Sequence, residues 1–333
     1  MIALAVALAL TACSGPRPAT MPRPASPVSP AAWARLRHLP GVIDLAGPRS
    51  DGSFLVAAAR RLFILRRDGA LIPFARGAGG YQAAAGDEPY LVIADGAAAR
   101  DGHCAFPRDA AFAIAPGRHP GIVMISPGGQ ARQFASLPPG SAPSGIAFDA
   151  TGRFGHRLLV TARRSGATTV LGIGCDGRLS TVAAGLPPVE GGMVVAPATF
   201  GAFGGDLIAP DEVSGLVYAV APSGKVAILA RSGLPAGRDI GVESAGFAPA
   251  AAAAAYLADR FAPGNEHPGD DVILRMPAAA LARAGIRAGD LLVATEGGAK
   301  TIDVRCAAIC AVRYVAAGPA IAHAEGHIVF APS

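Results

Sequence analysis

Tryptophan occurs once in these 333 residues, aromatic residues make up 6%, and Asp, Glu, Lys and Arg together only 16%. With hydrophobic residues at 51%, that shortage of charge excludes a disordered chain, which needs low hydrophobicity and high charge. The net charge is +5, but the basic residues, mostly Arg, are scattered without a basic block. A nucleic-acid binder therefore lacks both its electrostatic stripe and its stacking platform. A mildly basic surface is the simpler account. No P-loop or dinucleotide fingerprint sits between a strand and a helix. No G-x-S-x-G elbow accompanies a plausible triad order.

The N-terminal run 1–12 (MIALAVALALTA) is apolar and uncharged. It is too short to cross a bilayer, which takes about 20 apolar residues, and it suits the apolar region of a signal peptide. Leu10, Thr11, Ala12 and Cys13 resemble a bacterial lipobox, which implies acylation at Cys13 and export to the cell envelope. No Lys or Arg precedes the run, which points to a start codon upstream; an ordinary secreted protein is the alternative. Ser14 after the cysteine implies the outer membrane if the host is Gram-negative. Residues 13–38 are rich in Pro, Ala and Ser and read as a tether, because such a segment cannot form a core. Residues 39–333 are left for one domain, large enough for a sizeable core.

Four further cysteines remain: Cys104, Cys175, Cys306 and Cys310. An even number in an exported chain suggests two disulfides. Cys306–Cys310 as a local clip and Cys104–Cys175 as a tie between neighbouring units is the favoured pairing of the three possible. A metal site is the alternative, but the cysteines do not cluster with zinc-site spacing.

Glycine (43) and proline (29) are abundant, which fits many turns and short strands. An apolar strand recurs six times: 54–59 (FLVAAA), 90–95 (YLVIAD), 158–163 (LLVTAR), 206–211 (DLIAPD), 255–260 (AYLADR) and 291–296 (LLVATE). The starts lie 36, 68, 48, 49 and 36 residues apart. A second strand follows in most units. Then comes Asp68-Gly69, Gly128-Gly129, Asp176-Gly177 or Ser223-Gly224, as expected of two-residue hairpins. Segments 145–149, 192–197, 246–249 and 327–332 add a strand ahead of the recurring one. The pattern predicts an all-β fold: a six-bladed β-propeller of four-stranded antiparallel blades. A seventh blade stays open, because the last two units are irregular and 277–287 looks like a short helix. Residues 327–332 are expected to complete the blade that begins near Phe54 and so close the ring.

These strands, their Asp-Gly and Ser-Gly turns and the segment 203–208 (FGGDLI) resemble the NHL and SMP-30/gluconolactonase group of propellers over roughly residues 40–333. The resemblance implies a divalent cation at the mouth of the central channel. The Asn ligands of that group have no clear match here.

Glu190 and Glu325 each lie seven residues before the Pro that ends an inner strand, and Glu243 lies six before its own. In a propeller these strand ends meet at the channel mouth. Three carboxylates there repel one another unless a cation or protons compensate. Calcium or another divalent cation suits such oxygen ligands; solvated loop positions or pairing with Arg are the alternative. In His323-Ala-Glu325-Gly-His327 the three polar side chains share one face if the segment is extended. His323 and His327 are then candidate ligands or acid–base groups. Asp211-Glu212 and Asp259-Arg260 read as rim charges, and 265–271 as an oxygen-rich insert without EF-hand spacing.

The functional expectation is a lipid-anchored, monomeric propeller that binds a small molecule, a sugar or lactone, at the channel mouth. A divalent cation there would make it a lactonase-like hydrolase. The alternative is a non-catalytic scaffold that holds a protein or glycan through rim loops such as 94–121.

Overall fold

The computed structural model describes residues 31–98 and 104–332. The apolar run 1–12, Cys13 and the tether as far as residue 30 lie outside the described residues. Among the described residues the strands form six sheets around one axis, each built on a four-stranded antiparallel blade.

The described chain opens with β1 (Ala31–Ala32) and β2 (Ala34–His38), whose partners come from the other end of the sequence. Four meanders follow. Blade 1 is β3 (Val42–Ala46), β4 (Phe54–Ala58), β5 (Arg61–Leu65) and β6 (Leu71–Phe74). Blade 2 is β7 (Leu91–Ile93), β8 (Ala111–Ala115), β9 (Gly121–Ile125) and β10 (Ala131–Ser136). Blade 3 is β11 (Ala142–Phe148), β12 (Leu158–Arg164), β13 (Ala167–Ile173) and β14 (Leu179–Leu186). Blade 4 is β15 (Val194–Val195), β16 (Leu207–Asp211), β17 (Leu216–Val220) and β18 (Val226–Arg231).

Blades 5 and 6 exchange segments. β19 (Val242–Phe247) is the inner strand of blade 5, yet β20 (Ala252–Asp259) and β21 (Val272–Pro277) enter blade 6. Helix α1 (Ala278–Arg283) carries the chain back to blade 5 for β22 (Leu291–Thr295), β23 (Thr301–Cys306) and β24 (Cys310–Ala317). β25 (Ala324–Pro332) is then the inner strand of blade 6, antiparallel to β20. β2 closes that blade on β21, and β1 runs parallel to β24 on the edge of blade 5. Between them the lone tryptophan, Trp33, is buried and donates Nε1–H to Thr301 Oγ1 at 2.8 Å.

This arrangement corrects three expectations. The strand at 327–332 belongs to the last blade, and 42–46 is the inner strand of the first. Ring closure falls to residues 31–38, so the domain takes in the end of the segment whose composition suggests a tether. Residues 90–95 hold an inner strand, and 111–115 is the true counterpart of 54–59. Six blades complete the circle among the described residues.

The turns differ in detail too. The amides of Gly69, Gly129, Gly177 and Gly224 each bond the carbonyl three residues earlier, on Arg66, Ser126, Gly174 and Ala221. Only the glycine takes a left-handed φ, between 79° and 89°, while the residue before it does not. These are turns ending in a glycine bulge rather than two-residue hairpins.

The second strands, such as β4 and β22, are apolar along their length because both blade faces are covered there, while outermost strands such as β2 and β14 are largely exposed. Six apolar clusters fill the six blade interfaces. The cluster between blades 5 and 6 also takes in Trp33, Ala280 and Leu281 of α1. Cys104–Cys175 ties the β7–β8 loop of blade 2 to the β13–β14 turn of blade 3, and Cys306–Cys310 clips the β23–β24 hairpin.

Candidate functional site

Inner strands begin, and the antiparallel second strands end, on the same face of the ring. The residues at those ends therefore converge. Blade 5 contributes Glu243 at the start of β19 and Glu296 just after β22; blade 6 contributes Glu325 on β25, His323 before it and Arg260 after β20. Blade 4 adds Glu190 ahead of β15 and Glu212 after β16, and blade 2 adds Glu88 and Tyr90 ahead of β7. Glu243, Glu325, Glu296, Glu212 and His323 are all buried.

Tyr90 is the hinge of the cluster. Its hydroxyl lies 2.7 Å from Glu243 Oε1 and 2.8 Å from Glu325 Oε2. One phenol carries one proton, so it donates to a single carboxylate and the other must itself be protonated. Burial, then the charges of Glu325 and Glu296, push the Glu243 pKa well above the carboxylate range, so Glu243 holds the extra proton. Burial opposes the charge on Glu325 as well, but the His323 ring and the Arg260 guanidinium overcome it and lower its pKa. Tyr90 therefore donates to an ionised Glu325.

The remaining carboxylates form a chain. Glu190 lies close to Glu212, and Glu296 lies close to both Glu212 and Glu243. Burial, then the charge on Glu325, raises the Glu296 pKa to about 10. Burial, then Glu212, raises that of Glu190 to about 7. Glu190 is half-buried near the opening, 3.6 Å from Arg163. Arg260 bonds Glu88 and, at 2.7 Å, Glu325 Oε1.

Three donors stand apart as a metal-sized group. His323 Nε2 lies 3.4 Å from Glu296 Oε1 and 3.4 Å from Glu325 Oε1, and all three ligand atoms lie within 4.8 Å of one another. Ligands about 2.0–2.2 Å from one tetrahedral ion lie about 3.3–3.6 Å apart, which the two His323 separations match. Glu296 Oε2 and His323 Nδ1 are buried without a hydrogen-bond partner among the described residues. Two carboxylate oxygens and one imidazole nitrogen, converging from Glu296, Glu325 and His323, are a donor set that fits a divalent cation.

Of the residues singled out by sequence, Glu243, Glu325 and His323 come together here, and Glu190 joins through Glu212. His327 does not. Gly326 takes φ +69° and breaks the alternation, turning His327 away from His323 and Glu325. A Cβ at Gly326 would lie 2.2 Å from Asp44 Oδ1, so only glycine allows this approach. His327 Nδ1 meets Asp44 Oδ2 at 3.0 Å, and Nε2 meets the Ile146 carbonyl at 2.9 Å. Burial opposes its charge, but Asp44 raises its pKa. Asp44 also accepts the amides of Leu45, Leu91 and His327. One buried ion pair thus joins blades 6, 1, 2 and 3 on the axis.

Glu88, Glu212, Glu296 and Arg260 extend the site beyond the sequence candidates. Glu212 and Arg260 are not rim charges; they face the axis. Asp211 caps its own turn, accepting Val213 N–H, and Asp259 accepts the amides of His323 and Asp270. In the insert, Asp270 pairs with Arg35 and Asp271 accepts the Phe261 amide, which pins the loop down.

No family model matches the chain, and no curated protein matches it. Among solved structures it is similar to a streptogramin B lyase, at 12% identity over 85% of this chain and 72% of the other, with a TM-score of 0.46. It is also similar to a putative gluconolactonase, at 11% identity, 92% and 95% coverage and a TM-score of 0.49. A gluconolactonase from Xanthomonas campestris shares 14% identity, with 77% and 98% coverage and a TM-score of 0.40. Likenesses at this level carry no argument about the site; the propeller rests on the strand pairing, and the site on this chain's own residues.

Proposed function

We propose that the acidic end of the channel holds a divalent cation through Glu296, His323 and Glu325 and hydrolyses a small lactone. The observation that carries this reading is the set of three buried donors among carboxylates whose proximity demands positive charge. An imidazole among the donors favours zinc or manganese over calcium, which prefers oxygen alone. Such an ion would polarise a carbonyl and ease the ionisation of water. The lactone is the substrate class implied by the sequence resemblance to SMP-30/gluconolactonase propellers.

The protein's own groups have separable tasks. Arg260 and Tyr90 fix the Glu325 carboxylate from two sides. Glu190, at the opening with a pKa of about 7, is placed to take or return a proton near neutrality. Protonated Glu243 removes one negative charge from the cluster.

Purified protein stripped with chelator, reloaded with zinc or manganese and offered aldonolactones tests this by proton release. Metal-dependent hydrolysis that is lost in Glu325→Gln supports the reading; no hydrolysis with any ion removes it. A second reading, the non-catalytic scaffold, draws on Arg260, which pairs with Glu88 and Glu325 and, with protons on Glu243 and Glu296, leaves a cluster that needs no ion.

The two disulfides suit an oxidising compartment and support the export reading. We place the chain on the envelope through acylated Cys13; Cys13→Ser is expected to release it from the membrane fraction.

A further inference from the structure

Second strands end on the acidic face, so in blade 5 β23 leaves that face and β24 returns to it. The hairpin between them therefore stands at the opposite end of the ring. Its tip is Ala307, Ala308 and Ile309, all exposed and none charged, with Ile309 at 86%. The Cys306–Cys310 disulfide closes the base of the tip. Val312 and Tyr314 prolong the apolar strip along the outer strand, 39% and 46% exposed. Leaving an isoleucine in water rather than burying it costs about 1.5–3 kcal/mol. A clipped, uncharged apolar projection of this kind marks an interaction surface.

Two further observations say which partner it fits. The first is the path of the chain. β1 runs parallel to β24, with Ala31 opposite Ala316 and Ala32 opposite Ala317, so the chain reaches Ala31 from the side of the tip. Fully extended, the stretch from Cys13 to Ala31 spans about 60 Å, against about 23 Å along β24 from Ala316 back to Ile309. A lipid on Cys13 and the Ile309 tip can thus meet one bilayer. The second observation is charge. Segment 283–287 lies against the hairpin through Gly285, whose carbonyl accepts Arg305 and Arg313. Arg283, Arg287 and Arg313 are exposed there. The acids beside them, Asp290 and Asp303, are buried and paired with Arg305 and Arg313. An apolar tip flanked by exposed guanidinium groups suits a surface of anionic headgroups over acyl chains.

We propose that this face docks on an anionic phospholipid bilayer, with Ile309 entering the acyl boundary and Arg283, Arg287 and Arg313 meeting the headgroups. The proposal rests on the acylated-Cys13 reading for the nearness of a membrane, and it leaves the acidic mouth facing away from that membrane. The chain from residue 14, which keeps every described residue and carries no lipid, is sedimented with vesicles of phosphatidylglycerol and phosphatidylcholine. It is expected to bind them at least about fivefold better than phosphatidylcholine alone. Ile309→Asp is expected to weaken that binding at least about tenfold. In Ile309→Trp, brominated acyl chains are expected to quench the new tryptophan and leave buried Trp33 untouched; melting curves check that both variants fold. No sedimentation, or sedimentation indifferent to lipid charge or to Ile309→Asp, overturns the proposal. A parent that ignores vesicles but self-associates through Ile309 also overturns it, in favour of an interface between copies. Membrane retention of the full chain against Cys13→Ser tests the anchor separately, so either reading can fail alone.

Discussion

The imidazole of His327 spans the axis between the Asp44 carboxylate, 3.0 Å away, and the Ile146 carbonyl, 2.9 Å away. Asp44 is fully buried and also accepts three amides, so its charge is solvated by protein alone. Removing one partner of such a pair strands the other. Asp44→Ala is expected to cost about 3–5 kcal/mol in urea unfolding. An unchanged midpoint would show that the axial pair does not hold the blades.

Tyr90 makes a different kind of bridge, with one hydroxyl between two carboxylates. Tyr90→Phe nearly conserves volume but removes both the donor to Glu325 and the acceptor for protonated Glu243. A loss of about 1–3 kcal/mol is expected, together with weaker retention of any cation at Glu325. A variant as stable as the parent would mean that the carboxylates relax apart.

The carboxylates also set the pH dependence. Glu190 and Glu296 ionise near 4.5 when unfolded but keep their protons to about 7 and about 10 when folded. The folded state then binds more protons than the unfolded one, so stability falls as pH rises through that window. Chelator-treated protein is expected to melt highest in mild acid and progressively lower above pH 5. Added divalent cation should restore stability most at the alkaline end, because it replaces those protons. A melting temperature that climbs from pH 5 to pH 9 without metal would reverse the sign.

Ring closure depends on residues 31–38. A chain starting at residue 31 is expected to fold as the parent does. One starting at residue 39 loses β1, β2 and Trp33 and exposes the edges of β21 and β24. The loss of the tryptophan alone amounts to about 3–5 kcal/mol. As the single tryptophan, Trp33 also reports the event: its emission should shift to longer wavelength as the closing strand detaches, and Thr301→Val should weaken that attachment. Coincident melting of both truncations would rule out closure by this segment.

Much of the fold was legible because buried strands write continuous apolar runs, and glycines mark the bulged turns. The exchange between blades 5 and 6 left a trace as well. Residues 255–260 and 291–296 are both second strands, yet a single inner strand, near Phe247, precedes them. What hid the connection is that a strand's partner across the ring is fixed by packing and not by proximity in sequence. Half of the acidic site was found by aligning inner strands on their closing prolines. The other half lay at the ends of the second strands, where Glu212, Arg260 and Glu296 occupy matching positions. Glu88 was missed because 90–95 reads like a second strand. His327 could not be separated from His323 by alternation, since the positive φ at Gly326 reverses its direction.

The central claim is that Glu296, His323 and Glu325 share one ion. Titrating zinc or manganese into chelator-treated protein, with the bound metal counted after gel filtration, tests it directly. One ion per chain in the parent, and retention at least about tenfold weaker in both Glu296→Gln and Glu325→Gln, is the expected result. A parent that retains no ion, or substituted chains that retain it equally well, would contradict the account.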